Sequence, residues 1–200
     1  MSTPFDPVSD PAYWDELYEK KEDRWELGGP SPPLERWFAG QRLFGKRALV
    51  VGCGRGHEAR LLANCGAEVV GLDLAERAIA EAERLTSPNG SVRFVRGDLF
   101  ALRGKPAFFD LIVEHTCYCA IDPARRDEYV DAIADALLPG GKLVGVFYAH
   151  GRPGGPPFTT DDADLNQRFA RRFTLLHQET PPDSIERRAG QERLRVYQVR

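Results

Sequence analysis

Short apolar runs alternate with amphipathic stretches through the middle of the chain, and this alternation restricts the fold most. The apolar runs have the length of buried strands, and the stretches between them have helical periodicity. Such an alternation forms right-handed βαβ units, with helices on both faces of a mostly parallel sheet. The sequence predicts strands at 48–51, 69–72, 92–95, 109–113 and 143–148, with helices at 58–65, 75–85 and 125–137, the last one ended by Pro139-Gly140-Gly141.

Both ends of the chain depart from that rhythm. Near the amino terminus, Trp14 and Tyr18 share one helix face, and 34–38 repeats the spacing after a proline turn. Near the carboxyl terminus, 173–178 and 194–199 predict two final strands, at least one of them antiparallel. The predicted fold class is therefore doubly wound α/β with a mostly parallel seven-stranded sheet. Within this single structural domain we distinguish an aromatic segment, residues 1–38, from the sheet-containing part, residues 39–200.

The composition argues against several classes of partner. Two hundred residues with a formal net charge of −3 suit one domain that offers nucleic acid no basic stripe. The arginine pairs 125–126, 171–172 and 187–188 are interpreted as solvated faces. No apolar run reaches the roughly 20 residues that span a bilayer, and the polar, aromatic start does not resemble a signal peptide. With four cysteines that do not suggest a disulfide framework, we expect a cytoplasmic protein without a membrane or an obligate protein partner.

A glycine-rich turn follows the first predicted strand, where parallel sheets bind ligands. The turn is Gly52-Cys53-Gly54-Arg55-Gly56, and such a turn lets backbone approach a ligand closely. Asp73 ends the second strand, where a carboxylate meets ribose hydroxyls in nucleoside-binding sheets. Asp98 follows the third strand and would accept a hydrogen bond from an adenine amino group, with Leu99 packed on the ring. Each aspartate alone is typical of a turn or a helix cap, but the three features together predict a nucleoside cradle.

The cradle favours S-adenosylmethionine (SAM) over a dinucleotide. The turn reads Gly-x-Gly-x-Gly, whereas dinucleotide enzymes have Gly-x-Gly-x-x-Gly, and the sequence offers no further phosphate site at a helix start. SAM contains an adenosine but no phosphate. The turn, Asp73, Gly97-Asp98 and Leu138-Pro139-Gly140-Gly141 resemble, in this order, the motifs of class I SAM-dependent methyltransferases, which have a Rossmann-like fold.

Four passages more specifically resemble the thiopurine S-methyltransferase family, and within it the thiol and halide methyltransferases. The chain departs from that family at two positions. Tyr18 stands where a second tryptophan is frequent, and His115 stands where the thiol and halide enzymes have a tyrosine near the methyl group. The four passages are the aromatic trio Trp14, Tyr18 and Trp25, the turn Pro32-Pro33-Leu34, the segment from Glu114 to Ile121 that ends in Cys-Ala-Ile, and Gly154-Gly155-Pro156-Pro157-Phe158.

The resemblance implies an enzyme that moves a methyl group from SAM to a small soft acceptor such as a thiol, a halide or a related sulfur, selenium or tellurium compound. The aromatic segment would be a helical lid that excludes water and offers ring faces to the sulfonium. His115 is the candidate catalytic residue, either as a base for a thiol or as a wall of the pocket. The implied cofactor-binding residues are Trp14, Tyr18, Trp25, Gly52, Cys53, Gly54, Asp73, Leu74, Asp98, Leu99, Glu114 and His115.

Other interpretations are compatible with the same residues. The acceptor atom could be oxygen or nitrogen of a small metabolite, or the chain could be a binding module that has lost catalysis, although the intact cradle argues against the latter. His115, Cys117 and Cys119 would share one face of an extended strand, but a fourth ligand for zinc is missing and no metal is expected. His57 is interpreted as structural, and His150 is given no role.

Overall fold

A seven-stranded sheet organises the chain, which the computed structural model describes over residues 7–87 and 90–200. Residues 1–6 of the predicted aromatic segment lie outside the described residues. The strands are β1 Arg47–Val51, β2 Glu68–Asp73, β3 Val92–Arg96, β4 Phe109–His115, β5 Leu137–Tyr148, β6 Phe173–Glu179 and β7 Glu192–Val199. The helices are α1 Pro11–Lys20, α2 Pro32–Phe38, α3 His57–Asn64, α4 Glu76–Arg84, α5 Arg126–Ala136 and α6 Asp162–Phe169.

The strands lie in the order β3-β2-β1-β4-β5-β7-β6. β1 pairs in parallel with β2 on one side and β4 on the other, and β3 and β5 extend the parallel pairing outward. β7 runs antiparallel to both of its neighbours, β5 and β6. The predicted mostly parallel seven-stranded sheet is therefore confirmed, including the antiparallel strand in its carboxyl-terminal part.

Apolar side chains cover both faces of the sheet. Along β1, Leu49 and Val51 belong to one buried cluster, which includes residues of α5 and α6, while Ala48 and Val50 belong to another, which includes residues of α2 and α3. This alternation follows from the two-residue period of a strand and explains why β1 is apolar from Ala48 to Val51. Within the described residues, no helix is long and apolar enough to cross a membrane.

The two amino-terminal helices pack in different places. Asp10 caps the start of α1, because its carboxylate accepts a hydrogen bond from the backbone N–H of Ala12 (2.9 Å). Its Tyr18 packs with Ala75 and Ala78 at the start of α4. α2 instead buries its apolar side chains in the cluster that covers the α3 face of the sheet. α1 therefore lies near the carboxyl end of β2, where it can cover a ligand site.

The connection between α5 and β5 differs from the prediction. The Pro139-Gly140-Gly141 sequence does not end the helix, because α5 stops at Ala136 and β5 begins at the next residue. Leu137 pairs with Phe109, and the regular register resumes only where Lys142 pairs with Leu111. The turn residues therefore form an irregularity within the strand pairing rather than a separate loop, which is the usual effect of extra residues on one strand.

Candidate active site

A cavity of about 770 Å³ lies where the parallel strands end. Its volume is within the range of roughly 300–1,000 Å³ that is typical of small-molecule sites. Residues that follow β1 to β5 form its wall, and α1 with the loop after it covers the opening. Nine of the sequence-predicted residues line it: Trp14, Tyr18, Trp25, Gly52, Asp73, Leu74, Asp98, Leu99 and His115.

The glycine turn after β1 is held close to the residues around it. Gly52 and Gly54 both have left-handed backbone conformations, with φ of +57° and +50°. A Cβ atom at Gly52 would lie 3.0 Å from the Cys117 sulfur, and one at Gly54 would lie 3.2 Å from the Tyr18 hydroxyl oxygen. The backbone N–H of Gly54 donates to Asp73 Oδ2 (2.8 Å), which ties the turn to the end of β2.

Two of the predicted cofactor-binding residues in this turn lie on its other side. Cys53 and Gly54 line a separate chamber of about 40 Å³, whose wall also contains Trp25 and Glu58. Cys53 is buried, and burial followed by the negative charge of Asp73 raises the pKa of its thiol. The turn therefore presents Gly52 to the main cavity, and any cofactor contact of Cys53 and Gly54 stays a prediction.

The two aspartates of the predicted cradle both lie in the cavity wall. Asp73 Oδ1 accepts a hydrogen bond from the N–H of Ala75 (2.9 Å), so that backbone donors hold both of its oxygens. Burial raises the pKa of Asp73, although these backbone donors oppose the shift. Asp98 accepts from the N–H of Phe100 (2.9 Å) and caps the short 3₁₀ helix Leu99–Leu102. Because a carboxylate has about four acceptor sites, both side chains retain capacity for the hydroxyl and amino groups of a nucleoside.

Three aromatic rings from the amino-terminal segment form the cover of the cavity. Trp25 lies edge-to-face against Trp14, with ring centroids 5.5 Å apart, and against Tyr18, with centroids 5.6 Å apart. These separations are typical of favourable aromatic pairs. The cluster belongs to α1 and the loop after it, so the predicted trio does come together over the cradle.

Arg55, within the glycine turn, connects this cover to the sheet. Its guanidinium forms ion pairs with Asp23 and Glu26 of the covering loop and with Glu81 of α4. Glu26 also contacts His57 Nε2 (2.8 Å), which supports the structural interpretation of that histidine. Burial alone would raise the pKa of Glu26, but the hydrogen bonds from His57, Arg55 and Gly28 lower it to about 2. The cover and the turn are therefore joined by charges as well as by ring packing.

His115 ends β4 in the cavity wall, with both ring nitrogens close to charged side chains. Nδ1 lies 3.2 Å from Glu58 Oε1, and Nε2 lies 3.1 Å from Arg188 Nη1. Burial would raise the pKa of Glu58, but the contact with His115 and a hydrogen bond from the N–H of Ser31 hold it below its ordinary value. The next residue, Thr116, has a φ of +60°, which is rare for a β-branched residue and is found at functional sites.

Glu114 is absent from the lining of the cavity, so its assignment as a cofactor-binding residue stays a prediction. It precedes His115 in β4, so its side chain points to the opposite face of the sheet. It is fully buried, and its Oε2 accepts a hydrogen bond from the N–H of Tyr118 (2.7 Å). Burial raises the pKa of Glu114 to about 8, despite the backbone donors that stabilise its charge.

Two residues of the arginine pairs are buried, in contrast to the predicted solvated faces. Arg126 is 2% exposed and Arg188 is 5% exposed. Arg126 contacts Asp164 (3.2 Å) and lies over the ring of Tyr118, while Arg188 contacts Glu192 (3.3 Å) and His115. Their charges are accommodated because each guanidinium has a carboxylate partner. Arg188 also lines the cavity, so a functional candidate was missed in what looked like a surface run of charge.

The end of β5 and the segment after it contribute Tyr148, His150 and Arg152, which the sequence did not single out. Tyr148, His150 and Arg152 line the cavity together with 153–157, the segment that contains Gly-Gly-Pro-Pro. Their only sequence signal was their place after a strand at the ligand-binding edge.

The two neighbouring cysteines of the Cys-Ala-Ile segment lie in the same wall. Burial, followed by the nearby charge of Glu114, raises the pKa of Cys117 well above its ordinary value and that of Cys119 to about 12, so both stay protonated thiols at neutral pH. In the part of the chain that the structure describes, no group of three His, Cys, Asp or Glu side chains is placed to hold a metal ion.

Comparison with known proteins identifies the family. The family model for thiopurine S-methyltransferase (TPMT) matches residues 9–199. The chain belongs to the thiopurine S-methyltransferase family. It is 32% identical to thiocyanate methyltransferase 1 of Arabidopsis thaliana over 186 residues, which are 90% of this chain and 82% of that protein. It is 28% identical to a thiopurine S-methyltransferase of Pseudomonas paraeruginosa over 181 residues, with 79% of this chain and 81% of that protein covered.

Solved structures of methyltransferases share the fold. Magnesium protoporphyrin IX methyltransferase of Synechocystis with bound SAM superposes with a TM-score of 0.76 at 15% identity, over 100% of both chains. A SAM-dependent methyltransferase of Corynebacterium glutamicum gives a TM-score of 0.72 at 23% identity, over 96% of this chain and 100% of that chain. The fold is therefore that of class I SAM-dependent methyltransferases, and the family member described here is an enzyme that uses SAM as methyl donor.

The assignment of Asp73 to the cofactor site predicts a loss of cofactor affinity in Asp73→Ala. We expect the binding free energy of S-adenosylhomocysteine (SAH) to weaken by about 1–3 kcal/mol, the scale for loss of a hydrogen bond to a charged group. Isothermal titration calorimetry measures this loss, with Asp131→Ala as the control because Asp131 pairs with Arg172 on the surface of α5. Equal affinities for Asp73→Ala and the wild type would remove Asp73 from the site.

The buried position of Glu114 predicts a pH-dependent effect of Glu114→Gln on stability. Between its ordinary pKa of 4.5 and about 8, Glu114 keeps its proton in the folded state and loses it in the unfolded state. The free energy of unfolding of the wild type therefore falls as the pH rises through this window. Glu114 contributes up to about 1.4 kcal/mol of this loss per pH unit. Glutamine does not titrate, so Glu114→Gln should gain stability relative to the wild type from pH 5 to pH 8.

Chemical denaturation at several pH values measures the difference in unfolding free energy between the two proteins. Glu68→Gln, an exposed position on β2, is the matched control and should show no such trend. A difference for Glu114→Gln that stays constant with pH would mean that the carboxyl group is already ionised in the folded protein.

Proposed function

We propose that this enzyme methylates small soft nucleophiles, chiefly sulfur acceptors, in the cavity at the carboxyl ends of the strands. The observation that carries the proposal is the joint lining of one cavity by the cradle residues Asp73 and Asp98 and by the three-ring cover. The family relationship supports the same conclusion, because its similar members include thiocyanate, thiol and thiopurine methyltransferases.

The polar and aromatic groups that line the cavity are suited to the parts of SAM. We propose that Asp73 accepts hydrogen bonds from the ribose hydroxyls and that Asp98 accepts one from the adenine amino group, with Leu99 packed on the ring. The glycine turn lets the cofactor approach the backbone closely, since Gly52 has no side chain in the cavity wall. When bound, SAM supplies an electrophilic methyl group on a sulfonium, and aromatic faces attract such a cation by roughly 0.5–2 kcal/mol.

A covered, aromatic site favours soft acceptors. Trp14, Tyr18 and Trp25 exclude water, and a soft anion such as a thiolate or a halide reacts faster when it is less hydrated. The walls then hold both reactants in line, which lowers the entropic part of the barrier. In this proposal α1 and the loop after it act as the lid, with the charges around Arg55 keeping that loop against the glycine turn, while α2 packs on the α3 face of the sheet.

A matched acceptor series tests the proposed function. We expect SAH to form with 2-mercaptoethanol, thiocyanate and iodide, and to form far more slowly with ethylene glycol or ethanolamine at equal concentration, because rates should follow the softness of the acceptor. Mass spectrometry of SAH and of the methylated product measures the initial rates. Faster turnover of the hydroxyl or amine compound would instead favour an O- or N-methyltransferase.

The ring cover predicts that Trp25→Leu discriminates between the charged donor and its neutral product. The variant should lose about 0.5–2 kcal/mol more binding free energy for SAM than for SAH, since only SAM carries the sulfonium. Calorimetry with both ligands measures this difference. Trp37→Leu is the control, because Trp37 lies against His177 outside the cavity. If Trp25→Leu lost SAM and SAH affinity equally, the Trp25 ring would cover the cavity without attracting the sulfonium.

A further inference from the structure

Arg188 occupies a buried position in the cavity wall, between Trp25 of the cover and His115. Its Nη1 contacts His115 Nε2 (3.1 Å) and Glu192 Oε1 (3.3 Å), and its Nη2 donates to the carbonyl oxygen of Trp25 (3.3 Å). The guanidinium also lies 5.3 Å from the centre of the Tyr148 ring. Three of its five N–H groups thus have partners among the described residues, which leaves two donors on a residue that lines the cavity.

The contact with Arg188 determines where His115 carries its proton. A guanidinium has no lone pair and can only donate, so Nε2 of His115 must be the acceptor. The single ring proton is then on Nδ1, where Glu58 Oε1 receives it at 3.2 Å. A second proton, on Nε2, would place an N–H group directly against the guanidinium. Glu58 and Arg188 therefore occupy both ring nitrogens of His115, and His115 has no free site at which to take a proton from a thiol.

The wall near Arg188 is basic. The segments 148–157 and 187–188 supply the guanidinium groups of Arg152, Arg187 and Arg188 to the wall, and neither segment supplies a carboxylate. Among the described residues, Arg152 donates to the Tyr148 hydroxyl (3.0 Å) and to His150, but neither Arg152 nor Arg187 is paired with a carboxylate. The carboxylates that line the cavity belong to the cradle, to the loop after α1 and to the loop after β4. An acceptor bound beside His115 thus meets guanidinium donors: Arg188 shares its charge with Glu192 (3.3 Å), whereas Arg152 and Arg187 add charges without a carboxylate partner among the described residues.

We infer that Arg188 determines acceptor specificity: it binds the acceptor as an anion and, by occupying His115, leaves the enzyme without a general base. This inference deepens the proposed function and rests on it. The acceptor anion donates a lone pair to the methyl carbon while the carbon–sulfur bond of SAM breaks and its electrons stay on sulfur. The products are a neutral methylated acceptor and SAH, and no proton is transferred. Arg188 thus selects halide-like anions and thiolates over protonated thiols.

The pH profile of the wild-type enzyme tests the absence of a base without any substitution. We expect kcat/KM for each of three thiols of different acidity to rise about tenfold per pH unit up to the pKa of that thiol, because only the thiolate reacts. The midpoint should move with the thiol, and iodide should show no such rise. A midpoint common to all three thiols would place a base on the enzyme and overturn the inference.

Substitution of Arg188 tests its role in binding the anion. We expect Arg188→Met to lower kcat/KM for iodide about 10–100-fold, the scale for loss of a charged hydrogen bond, mostly through KM. Arg188→Lys should recover part of the loss, since it keeps the charge without the planar fork. Arg193→Met is the matched control, because Arg193 bonds Asp162 and backbone carbonyls outside the cavity.

SAH affinity and thermal stability of each variant separate these effects from misfolding. An iodide KM in folded Arg188→Met equal to that of the wild type would overturn the inference while leaving the proposed function intact. If the wild type methylated no thiol and no halide, the proposed function would fail, and the inference with it. If Arg188→Met does not fold, the wild-type pH profile alone decides between an ionised acceptor and an enzymatic base.

Discussion

The parallel pairing of β1 between β2 and β4 is the constraint on which the site depends. It brings the loops after these three strands to one edge, although they are far apart in the sequence. The bond from the Gly54 N–H to Asp73 then joins the first two loops directly, at 2.8 Å. Without that pairing, the glycine turn, the cradle carboxylates and His115 would not line one cavity.

The fold and the cradle could be predicted because their signals are local. Apolar runs, glycine turns and aspartates at strand ends each follow from a few neighbouring residues, and parallel topology places them together. Glu114 shows the limit of a local pattern: it neighbours His115 in the sequence, but the two-residue period of β4 sends the two side chains to opposite faces, and Glu114 is absent from the cavity lining. The residues that bind the cofactor stay predictions until a bound complex is seen.

The polar environment of His115 could not be predicted from the sequence. Glu58 lies 57 residues before His115 and Arg188 lies 73 residues after it, so no local pattern connects them. Arg188 stands beside Glu186 and Arg187, which reads as a solvated charge run. Its burial depends on Glu192, at the start of β7, and on the carbonyl of Trp25 in the cover. Such a network forms only when distant elements pack together.

The two ends of the cavity present different polar groups. The cradle end presents Asp73 and Asp98, which suit the hydroxyl and amino groups of a nucleoside, with Arg125 over the Phe100 ring, whereas the opposite end presents Arg152, Arg187 and Arg188. The cover connects the two ends, since Trp25 contributes a ring over the cavity and a carbonyl to Arg188. Cofactor, acceptor and lid are thereby coupled through the same few side chains.

A crystal structure with bound SAH tests the central claim most directly. We expect the ribose hydroxyls on Asp73, the adenine beside Asp98 and Leu99, and the sulfur facing the aromatic cover and His115. A nucleoside bound elsewhere, or one whose ribose makes no contact with Asp73, would contradict the assignment of this cavity as the cofactor site.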